Sequence, residues 1–357
     1  MTAIATPVPT TRNWSRLLTA AAFVGVGLVL YYLILSAATD PTTATVQVFN
    51  ALTIGAIYAL IALGYTMVYG IIELINFAHG DVFMMGAFVS LWTLSYWPFP
   101  EPFDKIGLGL GAGPVSDPLQ LVFYLLIAFA VSMPLIGLLN VAIERFFYRP
   151  LRNAPRLAPL ITAIGVSFIL QNAALVIAGS GDRKSPQIFP FDWRLTIGEA
   201  SIPLLNVLIV AVAIGLMFAL QLFVRRTRLG RAMRSTAQDR EAAQLMGVDL
   251  NQTIAMTFLL GGSLAAAAGV VWGLNFGFVR QDLGFVAGLK AFTSAVLGGI
   301  GNITGAALGG FLIGFIEVFA ATLGFLRWAE FIVFLVLTFI LVFRPAGILG
   351  QQLGERA

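Results

Sequence analysis

Ten apolar runs, at 17–36, 47–71, 82–97, 121–143, 157–178, 202–224, 253–275, 284–299, 304–323 and 328–343, leave this chain little choice of fold. A bilayer core takes roughly 20 consecutive apolar residues as helix. Backbone N–H and C=O groups in lipid need internal partners, which confines spanning segments to helices or closed barrels. The composition agrees: 59% of residues are hydrophobic and 11% charged, where soluble domains carry about 25% charged residues. The expected fold is therefore all-α, a polytopic transmembrane helical bundle of about ten segments, some short or broken. The count falls to nine if the first is peripheral or removed. That run is longer than the apolar core of a secretory signal, and although Ser36-Ala37-Ala38 faintly resembles a cleavage site, it reads as a retained anchor.

Charge orients the bundle. With the N-terminus inside, the cytoplasmic intervals carry fourteen of the cations, including Arg145, Arg149, Arg152 and six arginines in 225–252. External intervals carry six, Lys105, Arg183, Lys184, Arg194, Arg280 and Arg327. The positive-inside rule places both termini and the 225–252 loop in the cytoplasm and accounts for the net charge of +4 without a nucleic-acid partner. Two longer external intervals, 98–120 and 179–201, suit either docking of an extracytoplasmic protein or plain connection.

Several chemistries are excluded. There is no cysteine, only one histidine (His79), and only three lysines, none in a phosphate-binding Gly-rich pattern. No carboxylate pair, nucleophile arrangement or metal spacing stands out, so neither enzyme activity nor a metal or other cofactor is expected. Any ATP must be hydrolysed by another subunit.

The 225–252 interval is the longest strongly polar stretch between two apolar runs. Ser235 and Thr236 are N-cap types, Gln238 and Asp239 follow three residues later, and Gly247 suits a left-handed C-terminal position. The pattern predicts a helix of about ten residues, ~15 Å long, with Ala242, Leu245 and Met246 on one side. Too short to span a bilayer, it is either a docking element or a solvated linker.

Polar interruptions mark the apolar runs in both halves, at Asn76-Phe77-Ala78-His79-Gly80-Asp81 and at Gly298-Gly299-Ile300-Gly301-Asn302. Such breaks point to a transport path, because freed backbone groups can line a cavity. Candidate path residues are Asn76, His79, Asp81, Gln171 and Lys290. His79 with Asp81, at the expected cytoplasmic end of a span, suits a proton relay or a helix cap. Lys290, inside a run, must snorkel, pair or face water, with Glu317, Glu330 or a substrate carboxylate as partner. Gln171, Asn172, Asn140 and Asn206 suit interhelical hydrogen bonds. Gly305/Gly309 and Gly310/Gly314 are small-xxx-small steps that suit packing against a sister subunit or, as the alternative, lining the path.

Specific blocks also resemble a known family. Asp239-Arg240-Glu241-Ala242-Ala243-Gln244-Leu245-Met246-Gly247 resembles the EAA loop of bacterial ABC-importer permeases, without the I-x-L-P element of the general pattern. Asn76-Phe77-Ala78-His79-Gly80-Asp81, Glu144-Arg145 with Tyr148-Arg149-Pro150, Lys290-Ala291-Phe292-Thr293 with Leu297-Gly298-Gly299-Ile300-Gly301, and Arg344-Pro345-Ala346-Gly347 resemble the first permease subunit of high-affinity branched-chain amino acid importers. The likeness covers about 46–350, leaving 1–45 as an extension with one extra segment and 351–357 as a short tail. It implies an inner-membrane complex with a second homologous permease, two ATPase subunits and a periplasmic or lipid-anchored amino-acid-binding protein. It also implies ATPase coupling through Asp239, Arg240, Glu241, Ala242, Ala243 and Gly247. Rival readings are a permease for urea or short amides, and a proton-driven carrier using His79, Asp81 and Lys290.

Overall fold

The computed structural model describes residues 40–350 apart from 75, 97–114, 116, 153, 156, 191 and 345. The run at 17–36, most of 98–120 and the 351–357 tail lie outside the described residues.

In chain order the helices are α1 (Pro41–Ile72), α2 (His79–Tyr96), α3 (Pro118–Ile143), α4 (Leu157–Ala178), α5 (Leu204–Arg226), α6 (Arg228–Gln238), α7 (Arg240–Leu245), α8 (Leu250–Phe276), α9 (Leu283–Gly298), α10 (Ile303–Thr322) and α11 (Ala329–Phe343). Each expected crossing within 47–343 appears as a helix. The strands are short: β2 (Arg194–Ile197) and β3 (Ala200–Pro203) form an antiparallel hairpin, and β1 (Arg183–Lys184) pairs with β4 (Phe278–Val279).

Local chemistry sets the ends. Asp40 caps α1 by accepting the Thr43 N–H at 3.0 Å, with Pro41 at the first helical position. Asp117 with Pro118 does the same for α3, and Asn302 caps α10. α3 runs on through a π turn, Glu144–Tyr148, and a 3-10 turn, Arg149–Leu151.

Among the described residues six helices are long and apolar enough to cross a bilayer: α1, α3 with its extension, α4, α5, α8 and α10. α2, α9 and α11 have 18, 16 and 15 residues, about 27, 24 and 22 Å at the standard rise, short of a ~30 Å hydrocarbon core. The reason lies in where two of them begin. The His79 ring packs directly against Gly64 of α1, eight residues before that helix ends, so about 12 Å back into the bundle. The chain therefore turns back between α1 and α2, and α2 starts inside the bundle. His79, the first residue of α2, is thus fully buried against α1. The start of α9 meets the start of α2 there: a Cβ on Gly80 would lie 2.8 Å from Gly288 Cα, and one on Gly284 would lie 2.6 Å from Asp81 Oδ1. The first polar interruption thus opens α2 inside the bundle, whereas the second, 298–302, forms the turn between α9 and α10 beside Gly70 near the end of α1.

The core sits on α8, whose Ala265, Ala266, Ala267 and Ala268 are fully buried, and on α1. Small residues let backbones touch: a Cβ on Gly55 would lie 2.7 Å from Phe311 Cα, and one on Gly314 would lie 2.5 Å from Gly55 Cα. Gly305 and Gly309 likewise pack on Gly298 and Ser294 of α9. The expectation that these steps face a sister subunit is corrected: both serve packing within the chain, because α9 and α10 form a tight hairpin flanking α1.

Candidate functional site

The polar loop is two helices, not one. Thr227 starts α6, its hydroxyl accepting the Gly230 N–H at 2.9 Å. Asp239 then takes extended backbone, φ −155° and ψ 116°, and its carboxylate accepts the Ala242 N–H at 3.0 Å. The N-cap is thus Asp239, and Ser235 and Thr236, read from sequence as caps, lie within α6. Met233 and Thr236 of α6 are buried against the bundle, which holds that helix intact past them. At the other end Gly247 has φ +85°, where a Cβ is disfavoured. There the Val248 N–H reaches Ala243 O and the Gly247 N–H reaches Gln244 O, each at 3.0 Å, closing the helix in a Schellman-like turn.

α7 therefore spans six residues, with Ala243 buried against the bundle and Glu241, Ala242 and Gln244 exposed. Leu245 and Met246 beside them are 88% and 85% exposed. Two large apolar side chains thus stand in the open on a doubly capped turn. Arg240 turns the other way, its Nη2 donating to Ile71 O at the end of α1 at 3.0 Å. This arginine moors α7 to the membrane helices.

Beneath that mooring lies a cluster that sequence reasoning quoted only for resemblance. Glu144, fully buried on the π turn, pairs with Arg149 at 3.1 Å and with Arg152. Arg152 also donates to Asn251 Oδ1 at 2.7 Å, reaching the first turn of α8. Tyr148, on the same turn, donates to Asn76 Oδ1 at 2.7 Å. Asn76 is thus tied to the end of the bundle that carries α7. The five-residue step from Glu144 to Arg149, π rather than α spacing, was the available signal.

Higher up, the remaining candidates separate. Asp81, buried at the start of α2, accepts from Ser167 Oγ and from Gln171 Nε2 at 3.1 Å, both on α4. It forms no relay with His79. The His79 ring meets Tyr65 edge-on, centroids 4.7 Å apart. Of the path candidates, Asp81 and Gln171 meet through their side chains, and the His79 N–H donates to Asn76 O at 3.1 Å. Asn140 donates across to Phe258 O at 2.7 Å and Asn206 to Asn50 Oδ1 at 3.1 Å, as interhelical bonds should. Asn172 instead donates back to Phe168 O of its own helix.

Lys290 finds both anticipated protein partners. Its Nζ is 2.9 Å from Glu317 Oε1 and 3.7 Å from Glu330 Oε1, and Tyr58 OH donates to Glu317 Oε2 at 2.8 Å. Glu317 thus holds two donors while Glu330 stands mostly exposed. Among the described residues no cluster of side chains could hold a metal ion.

A helical bundle with broken helices, buried polar networks and a moored extramembrane turn defines a multi-pass membrane permease. Residues 47–341 match the family model for the branched-chain amino acid transport system permease component, and the chain belongs to that family. It is 44% identical over 315 residues to the high-affinity branched-chain amino acid transport system permease protein BraD of Pseudomonas aeruginosa, covering 87% of this chain and 97% of the relative. To the corresponding permease protein LivH of Escherichia coli it is 40% identical over 313 residues, covering 87% and 96%. A shorter match, 36% over 124 residues and 33% of this chain, is to the autoinducer 2 import system permease protein LsrC of Klebsiella pneumoniae. No solved structure matches. The relatives are transport components, not enzymes, and so is this chain.

Proposed function

We propose that this chain is the membrane-spanning subunit of an ATP-driven importer of branched-chain amino acids, working with a second homologous permease, two ATPase subunits and an extracytoplasmic amino-acid-binding protein. In this reading residues 46–350 are the transport domain, both termini are cytoplasmic, and the segment before it is an added membrane anchor. The observation that carries the proposal is α7: its exposed Glu241, Leu245 and Met246 offer a grip to a motor subunit, while Arg240 holds its root to Ile71. ATP closure of the motor would push on α7. The mooring would pass that displacement to the end of α1 and, through Tyr148 and Asn76, to the folded-back segment that leads into α2. α2 and α9, which start inside the bundle, are then the elements placed to alternate between two arrangements.

The test is Glu241→Lys together with Leu245→Asp in a reconstituted complex, read as leucine uptake and binding-protein-stimulated ATP hydrolysis. Both are expected to fall at least tenfold with the chain still inserted and folded. Wild-type values for both would overturn the docking role.

A further inference from the structure

At the end of the bundle away from the 225–252 loop, a cavity of about 410 Å³ opens between α1, α5, α8 and α10. Its size falls within the range of small-molecule sites, roughly 300–1,000 Å³. The lining has two characters. Gln47, Asn50, Asn206 and Asn275 supply carboxamides from three helices, and Ile54, Val318 and Ala321 supply an apolar wall. None of the lining residues is charged.

We propose that this cavity is an outward-facing subsite for an aliphatic amino acid zwitterion on its way into the path. This inference rests on the import reading above. A carboxamide both donates and accepts, so a cluster of them can meet an ammonium and a carboxylate together. A ligand of zero net charge needs no counter-ion, and a site without charge disfavours inorganic ions, which it could not compensate. The apolar wall fits an aliphatic side chain. The Asn206 Nδ2 to Asn50 Oδ1 bond, 3.1 Å, ties α5 to α1 and fixes two of the carboxamides in place. The cavity also leads somewhere. Tyr58 lies one helical turn beyond Ile54 and Glu317 adjoins Val318, so the Lys290 network stands directly beyond the apolar wall. It has one cation, Lys290, and two carboxylates, Glu317 and Glu330, to offer a zwitterion passing inward.

The chain has no cysteine, so a single thiol reports cleanly. Ala321→Cys in the full reconstituted complex is labelled with a membrane-impermeant maleimide, with and without millimolar leucine, valine, glycine or urea. Leucine and valine are expected to slow labelling at least threefold and glycine or urea much less. A Thr196→Cys reporter on β2, outside the cavity, should be unaffected. Ala321→Trp, which fills the space, is expected to lower leucine uptake at least tenfold while ATP hydrolysis persists. If the Ala321→Cys complex imports leucine yet labels at one rate whatever is added, the subsite is overturned and the import reading stands. If the wild-type complex imports no branched-chain amino acid, the import reading falls and the subsite with it.

Discussion

Replacing Glu317 with glutamine keeps the shape of the side chain and removes one charge of the intramembrane network. The Lys290 and Glu317 side chains are 9% and 22% exposed, with Nζ and Oε1 2.9 Å apart. Charges at this separation attract by about 6 kcal/mol at an effective dielectric of 20, and breaking a buried pair by removing one partner costs about 3–5 kcal/mol. Glu330 offsets part of this. It lies 3.7 Å from Nζ but is 61% exposed, so it returns at most about 1 kcal/mol. Glu317→Gln should therefore destabilise the fold by about 2–4 kcal/mol, and Glu330→Gln by under ~1 kcal/mol. Adding Lys290→Met to Glu317→Gln removes the stranded cation and should recover at least half of the loss. The measurement is equilibrium unfolding in detergent micelles followed by tryptophan fluorescence. A Glu317→Gln protein within about 0.5 kcal/mol of wild type, or a double variant weaker than the single, would refute the view that the pair is buried and mutually dependent.

Three other outcomes are checked separately. Gly314→Ala places a methyl group 2.5 Å from Gly55 Cα and should cost about 1–3 kcal/mol by overpacking; Gly165→Ala, with open space around it, should not, and equal unfolding midpoints would refute the packing account. Asp239→Ala removes the α7 cap, worth about 1 kcal/mol, and should speed hydrogen exchange of the α7 amides about fivefold while leaving α8 unchanged. Glu73, the residue after α1, has φ 54°; a left-handed conformation costs a side-chain-bearing residue about 1–2 kcal/mol, so Glu73→Gly should stabilise by up to ~1 kcal/mol after the glycine entropy term. A fall in the unfolding midpoint would refute strain at that turn.

Legibility followed the range of the interactions. The helices came through to within a few residues because apolar runs of membrane length admit one backbone solution. Gly247 was readable because a left-handed end closure is a local requirement. The α7 start was not: Ser235, Thr236 and Asp239 are all competent caps, and burial of Met233 and Thr236 against the bundle decided among them. Glu317 and Glu330 were legible as partners because a lysine within an apolar run needs one, whereas the Arg240 bond to Ile71 O was not, because the two lie 169 positions apart in the chain.

From the amino acids alone come the all-helical membrane architecture, the family, and the polar turn that interrupts it, since each depends on composition, periodicity or a contiguous motif. Only the tertiary structure decided that α2 and α9 start within the bundle and meet there, that the glycine steps pack α10 on α1 and α9 within the chain, and that Asp81 faces Ser167 and Gln171 rather than His79. Those outcomes depend on which helices come into contact across hundreds of residues. No local pattern encodes that choice: close packing and the pairing of buried polar groups select it when the whole bundle assembles.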